Sequence, residues 1–316
     1  MDVRRTSHDG AQRRGPLTLD RRMLVLVVAW LLAACSGEPA STTTPPATPA
    51  TTAPSAPPAA AAAGLTCRPR GPFDPSSGFY SQFYEDYILS HVFQDVSDGV
   101  YVDVGANDPD QSTVTKYFYL AGWRGINIEP NPDMFVLLEK NRPEDINVRV
   151  GISDKPGALT FYRFKNAAGL STFDRKIALL DRAKGVDFEE VRIPMTTLEQ
   201  VLAKHERVTS GFTFLNVDVE GFERQVFASV DLKQHPPSVI LAEATIPLTE
   251  NPSYQAWEPI LFSAGYLFAM DDGLNRYYVH PDHKDLLTRF AEANYCVQMD
   301  KIAKGVKLNG YMPYGR

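Results

Sequence analysis

Two carboxylates stand two residues apart at the end of an apolar run, in Phe214-Leu-Asn-Val-Asp218-Val-Glu220-Gly221. Side chains at that spacing on a strand share a face, so Asp218 and Glu220 point the same way just before Gly221 opens a helix. Such a pair suits a general base, a cation contact or a metal site. Equally, Glu220 could cap the helix and Asp218 could pair with an arginine. Another carboxylate, Glu243, closes Val239-Ile-Leu-Ala-Glu243, either as a substrate contact or as a solvated strand end. Upstream, Tyr101-Val-Asp103-Val-Gly105-Ala106-Asn107 carries an apolar strand into a turn. There Gly105 and Ala106 leave little side chain between backbone and ligand, while Asp103 and Asn107 offer polar atoms at the strand's carboxyl end, where open α/β sheets bind ligands. The next strand ends in Ile128-Glu129-Pro130-Asn131, and an acidic residue in that place can accept hydrogen bonds from both hydroxyls of a ribose. The turn lacks GxGxxG, so no pyrophosphate cradle is indicated, and a tight βα turn with no ligand remains the plain reading.

These residues need strands that end at one rim. From Gln82 onward, short apolar bursts alternate with longer amphipathic stretches, the rhythm of βα units on a parallel sheet. Strands are expected at 100–104, 125–128, 146–150, 212–217 and 239–242, with two shorter extended pieces at 158–164 and 191–194. Helices are expected at 85–93, 112–120, 132–140, 197–203, 222–229 and 253–263. Residues 266–270 and 275–279, joined by Asp271-Asp272-Gly273-Leu274, predict an antiparallel hairpin at one sheet edge. No internal repeat is present.

Composition bounds the partners. The chain has 316 residues with 32 Lys plus Arg against 38 Asp plus Glu, and six of the arginines lie before residue 35. The acidic remainder, without a basic run, argues against a nucleic-acid partner. Cys35, Cys67 and Cys296 form no CxxC pair, which excludes a zinc ribbon and a dense disulfide scaffold. Cys67 and Cys296 read either as one disulfide or as two unrelated buried thiols. His235 and His280 sit near predicted strand ends, within reach of the rim or simply packed there, and no histidine cluster marks a transition-metal site.

The first 65 residues read as address and tether. Arg21-Arg22 precedes an apolar run from Met23 to Ala34, too short to span a bilayer as a helix and of signal-peptide length. Leu32-Ala-Ala-Cys35 is similar to a bacterial lipobox, which implies lipidation of Cys35 after cleavage of residues 1–34. Residues 35–65, rich in Ala, Thr, Pro and Ser, are expected to be a disordered tether. That organisation predicts a membrane-anchored lipoprotein of the cell envelope, with residues 66–316 as the folded domain.

The ordered set Ser81-Gln-Phe-Tyr84-Glu85-Asp86, YVDVGAN (101–107), GWRGINIEPNP (122–132), GLST (169–172), TTLEQVL (196–202), FLNVDVEGFERQV (214–226) and Gly273-Leu-Asn-Arg276 resembles the FkbM family of S-adenosylmethionine-dependent methyltransferases. The resemblance implies a Rossmann-like class I methyltransferase fold, α/β, with a mostly parallel seven-stranded sheet and an antiparallel C-terminal hairpin. It implies S-adenosyl-L-methionine as cofactor, held by Asp103, Gly105, Ala106, Asn107, Glu129 and Asn131. Asp218, Glu220 and Glu243 become the catalytic candidates, and Ser171 and Thr172 fall on the substrate side. The expected reaction is O-methylation of a hydroxyl on a sugar, glycan or secondary metabolite. No metal is expected as such, with Mg²⁺ on Asp218 and Glu243 kept as a variant. Tyr84 departs from the family pattern, which has glycine there. An exported address sits poorly with a cytosolic methyl donor, so a cytoplasm-facing active site, or a non-catalytic lipid-anchored module binding carbohydrate or nucleoside, stands as the alternative.

Overall fold

A computed structural model of the protein describes Cys67, residues 79–206 and residues 211–304. In chain order its elements are α1 (Glu85–Val92), β1 (Val100–Val104), α2 (Lys116–Leu120), β2 (Arg124–Ile128), α3 (Pro132–Asn141), β3 (Ile146–Val148), β4 (Gly151–Ile152), β5 (Gly157–Arg163), α4 (Arg175–Ala183), β6 (Glu189–Thr196), α5 (Leu198–Lys204), β7 (Phe214–Val217), α6 (Glu223–Phe227), β8 (Val239–Glu243), α7 (Glu258–Ser263), β9 (Leu267–Asp271), β10 (Asn275–Val279) and α8 (Leu286–Ala303). Seven strands form the main sheet in the order β3-β2-β1-β7-β8-β10-β9. The first five in that order run parallel, and β10 lies antiparallel between β8 and β9. This is the Rossmann-like class I methyltransferase architecture with its reversed final strand.

Continuous apolar strands follow from burial on both faces. Val102, Val104, Leu215, Val217, Ile240 and Ala242 join one core cluster. Their alternating neighbours Tyr101, Phe214, Leu241 and Tyr277 pack in a second cluster with residues of α1 and α8. The period of two therefore puts Asp103, Asn216, Glu243 and Asn275 on the α1/α8 face. At the carboxyl end of the strands that apolar face turns polar.

The extended pieces expected at 158–164 and 191–194 do form strands, but in a separate three-stranded sheet ordered β4-β6-β5. Register there pairs Gly157–Arg163 antiparallel with Glu189–Met195. Helix α4, between those strands, is not among the expected helices. It is short and amphipathic, with Ile177 to Leu180 flanked by charged residues, and the Asp174 side chain, accepting from the Lys176 and Ile177 amides, is a start signal visible in the sequence.

Cys67 and Cys296 are joined as a disulfide, with their Cα atoms 5.2 Å apart. Cys296 lies on α8 and is 2 % exposed.

The expected envelope lipoprotein placement is corrected. The described residues form an α/β domain in which no helix is long and apolar enough to cross a membrane. The signal peptide (1–34), the Cys35 lipidation and the tether (35–65) fall outside the described residues.

Candidate functional site

The rim is organised around Asp103, which does not reach into open space. It is 2 % exposed, its Oδ1 accepts from Asn216 Nδ2 at 2.8 Å and its Oδ2 from Thr115 Oγ1 at 3.0 Å. Asp103 and Asn216 are direct register partners on β1 and β7, so the bond follows from strand pairing. Burial pushes the Asp103 carboxyl above its ordinary pKa, and these two donors are what tolerates a carboxylate there. Neither Asn216 nor Thr115 stands out in the sequence; Asn216 lies two residues before Asp218, the spacing that could have found it.

After β1 the chain turns sharply. Gly105 has φ +90, and a Cβ built there would lie 1.8 Å from the Asp218 carbonyl oxygen. The empty side of Gly105 is thus occupied by the loop after β7, which clamps the first turn against the residue carrying a candidate catalytic carboxylate. Gly105 and Ala106 both donate their amides to Ile128 O, at 2.9 and 3.3 Å. Asn107, at φ +49, donates its amide to Glu129 Oε2 at 2.7 Å.

Glu129 Oε1 accepts from the Asn131 amide at 2.6 Å. One backbone donor therefore holds each Glu129 oxygen, and each keeps a second lone pair. Burial raises the Glu129 pKa to about 7, against the lowering effect of those two amides. Asn131, expected to help hold the cofactor, also caps α3, its Oδ1 accepting from Asp133 N at 3.1 Å.

The second cluster lies at the ends of β7 and β8. Asp218, Glu220 and Glu243 each offer an oxygen, and these atoms lie within 4.8 Å of one another. Glu220 holds a left-handed backbone, φ +53, fixed by Thr172 Oγ1, which donates to Glu220 O at 2.8 Å and accepts from Asp174 N at 2.9 Å. Thr172 is fully buried, so the expected substrate-side Thr172 acts on the rim through the Glu220 backbone. Ser171 Oγ accepts from the Phe164 amide at 3.1 Å. The same GLST segment reaches the first turn at Gly169, beside Asn107 Nδ2. Burial and the neighbouring Asp103 charge raise Asp218 to about 6; burial and the Asp218 charge lift Glu220 well above the carboxylate range. Glu223, which no spacing in the sequence marks, accepts from the Gly221 amide at 3.0 Å and fixes the turn between them.

A third group ties α1 to the rim. Glu85 accepts from Asn275 Nδ2 at 3.0 Å and from the Phe83 amide at 2.6 Å, and Asn275 is the register partner of Glu243. Asp86 accepts from Ser81 Oγ at 2.6 Å and from the Tyr80 amide at 2.7 Å. Tyr84, where the family pattern has glycine, is held at φ +73, in the region where glycine alone sits without steric cost. Its hydroxyl compensates by donating to Asp300 Oδ2 on α8 at 2.7 Å. His235 and His280 lie at the opposite, amino edge of the sheet. His235 contacts Glu199 at 2.9 Å, and the His280 amide bonds Ser238 O.

Burial, followed by the Asp272 charge, raises Glu85 to about 8, and burial raises Asp86 to about 6. With Glu129, these groups bind protons more tightly folded than unfolded, so stability falls as pH rises from their unfolded values near 4 through the folded ones. In EDTA, the thermal midpoint is expected to drop steadily between about pH 5.5 and 8.5. A midpoint that stays flat over that interval would show these carboxyls to be ionised in the native state.

The methyltransferase FkbM domain model matches residues 103–268. No curated protein matches the chain. Among solved structures, the chain is similar to a TehB-like SAM-dependent methyltransferase from Corynebacterium glutamicum (7% identity, 65% of this chain and 91% of that one, TM-score 0.35). It is also similar to a hypothetical protein from Thermus thermophilus (10% identity, 67% and 92%, TM-score 0.32). A third is an O-methyltransferase from Bacillus cereus in complex with SAH (13% identity, 69% and 86%, TM-score 0.32).

Proposed function

The chain belongs to the FkbM methyltransferase family and is an S-adenosylmethionine-dependent methyltransferase; from that premise we propose that it methylates a hydroxyl of a sugar, glycan or secondary metabolite. Residues 66–316 are the catalytic domain in this reading. The observation that carries it is the convergence of Asp218, Glu220 and Glu243 at the carboxyl edge, next to the turn that Gly105 packs onto Asp218.

The residues present fit the cofactor by the chemistry of the donor set. Glu129 keeps one lone pair on each oxygen after taking the Asn107 and Asn131 amides, which matches two vicinal hydroxyls. Gly105, Ala106 and Asn107 form a tight backbone turn beside it, with Asp103 bracing the strand beneath. When bound, S-adenosylmethionine supplies an electrophilic sulfonium methyl.

The chain's own work is then positioning and proton removal. An alcohol oxygen becomes a better nucleophile as its proton leaves, and a carboxylate within hydrogen-bond reach can take that proton. Asp218, Glu220 and Glu243 are the groups placed to do so. Holding the acceptor about 3 Å from the methyl carbon supplies much of the acceleration. A cavity of about 160 Å³ lies beside the rim, lined by Gly221, Glu223, Arg224, Ile246, Ser253 and Trp257 among others. Ser253 Oγ and Trp257 Nε1 are buried without hydrogen-bond partners. An acceptor rich in hydroxyls would satisfy both.

The test is transfer of labelled methyl from S-adenosylmethionine by the full chain to polyhydroxylated, amine and thiol acceptors, with products resolved by mass spectrometry. Label in an O-methyl ether supports the reading. Label confined to nitrogen or sulfur would overturn it.

A further inference from the structure

We propose that Asp218, Glu220 and Glu243 hold a divalent cation of the hard class, Mg²⁺, Mn²⁺ or Ca²⁺. Three carboxylate oxygens within 4.8 Å of one another form a donor set of hard oxygens with no sulfur and no imidazole, the chemistry these ions select. Glu243 is 5 % exposed, and its Oε2 is buried with no hydrogen-bond partner. The amide donor nearest in register is engaged elsewhere: Asn275, opposite Glu243 on β10, turns its amide to Glu85 and Asp272. Among the described residues, the ion pairs of lysine, arginine and histidine go to other carboxylates, and none reaches Asp218, Glu220 or Glu243. A buried carboxylate crowded by two others is strongly disfavoured by its lost hydration and by their mutual repulsion. A cation set among three of them removes that cost.

The arrangement has the anatomy of a site whose ligands come from different elements. Asp218 and Glu220 follow β7, Glu243 ends β8, and the Glu220 backbone is locked by Thr172. Three protein oxygens leave positions in the coordination shell for water or for an acceptor hydroxyl. A hydroxyl bound there loses its proton more readily: the O–H bond breaks, the electron pair stays on the metal-bound oxygen, and the proton passes to a carboxylate oxygen and on to solvent. No oxidant or further reactant is needed. The purpose assigned to the cation rests on the proposed O-methylation, and two neighbouring hydroxyls are the acceptor that would chelate it best.

Mn²⁺ is the probe. The full chain, stripped with EDTA and dialysed, is titrated with Mn²⁺ while free ion is followed by electron paramagnetic resonance, and S-adenosylhomocysteine binding is measured on the same sample. One Mn²⁺ per chain is expected, displaced by excess Mg²⁺. Glu243→Gln should weaken it about 10-fold or more, the effect of removing one charged ligand. Glu199→Gln, on the opposite edge, should leave it unchanged. Binding of S-adenosylhomocysteine with no Mn²⁺ uptake up to about 1 mM, the weak end of protein cation sites, overturns the inference and spares the proposed function. Mn²⁺ uptake indifferent to Glu243→Gln places the ion elsewhere and also overturns it. Absence of S-adenosylhomocysteine binding strikes the proposed function instead.

Discussion

Glu129→Ala is expected to cut affinity for S-adenosylhomocysteine by about 100-fold or more. In the native chain the carboxylate takes the Asn107 and Asn131 amides and, in the proposed reading, both ribose hydroxyls. Hydrogen bonds to a charged acceptor contribute about 1.5–3 kcal/mol each. Losing two to the ligand thus reaches about 3–6 kcal/mol, and each 1.4 kcal/mol is about tenfold in affinity. Glu129→Gln separates the ligand term from local collapse. It keeps one acceptor oxygen but sets an amide donor against a backbone N–H, so it should fall between wild type and alanine. Calorimetric titration measures all three, with circular dichroism confirming that each is folded. A loss of less than about 5-fold in Glu129→Ala would remove the ribose from this residue.

Gly105→Ala is the second large effect, and it strikes stability before activity. The new methyl would sit 1.8 Å from the Asp218 carbonyl oxygen and 3.3 Å from Val219 Cγ1, on a backbone at φ +90. The first obstacle is main chain rather than a flexible side chain, so β7's exit loop must move. A strained conformation costs about 1–3 kcal/mol for a residue with a Cβ, and the steric conflict adds to it. The expected loss is about 3–5 kcal/mol, in the range of severe core substitutions. Urea denaturation checks the figure. A change below about 1 kcal/mol would mean the loop after β7 yields freely and that the clamp between turn and carboxylate does not exist.

Much of this is legible from spacing. β1, β2, β7, β8 and the β9–β10 hairpin lie close to where apolar runs and turn residues put them, because strands buried on both faces declare themselves as apolar bursts. The carboxylates at 103, 129, 218 and 243 stand out because a strand's carboxyl end is where polarity returns. What escapes depends on contacts across the chain. α8 carries apolar residues without a clean stripe, so periodicity does not announce it; its burial against α1 is settled only by tertiary packing. β5 and β6 are recognisable as extended, but nothing local says that β4 joins them in a sheet of their own. The glycine at 105 reads as room for a ligand, and it also makes room for the Asp218 carbonyl oxygen. Asn131 reads as a cofactor contact by resemblance, and the Asn-Pro-Asp sequence also spells a helix start. Ser171 and Thr172 fall near the acceptor by the same resemblance; the route by which Thr172 bears on the rim, through one carbonyl of Glu220, is invisible without coordinates.

The Cys67–Cys296 bond spans 229 positions of sequence, and every strand and helix from α1 to β10 lies inside the loop it closes. Its consequence is mechanical. Tension applied to the chain outside those two cysteines is carried from one sulfur to the other, along a covalent path that bypasses the main sheet. β-Strand hydrogen bonds, which would otherwise rupture in succession under load, bear none of that pull. Whatever drags on this protein from its two ends must break or reduce a bond before it can disturb the rim where Asp218 and Glu129 sit.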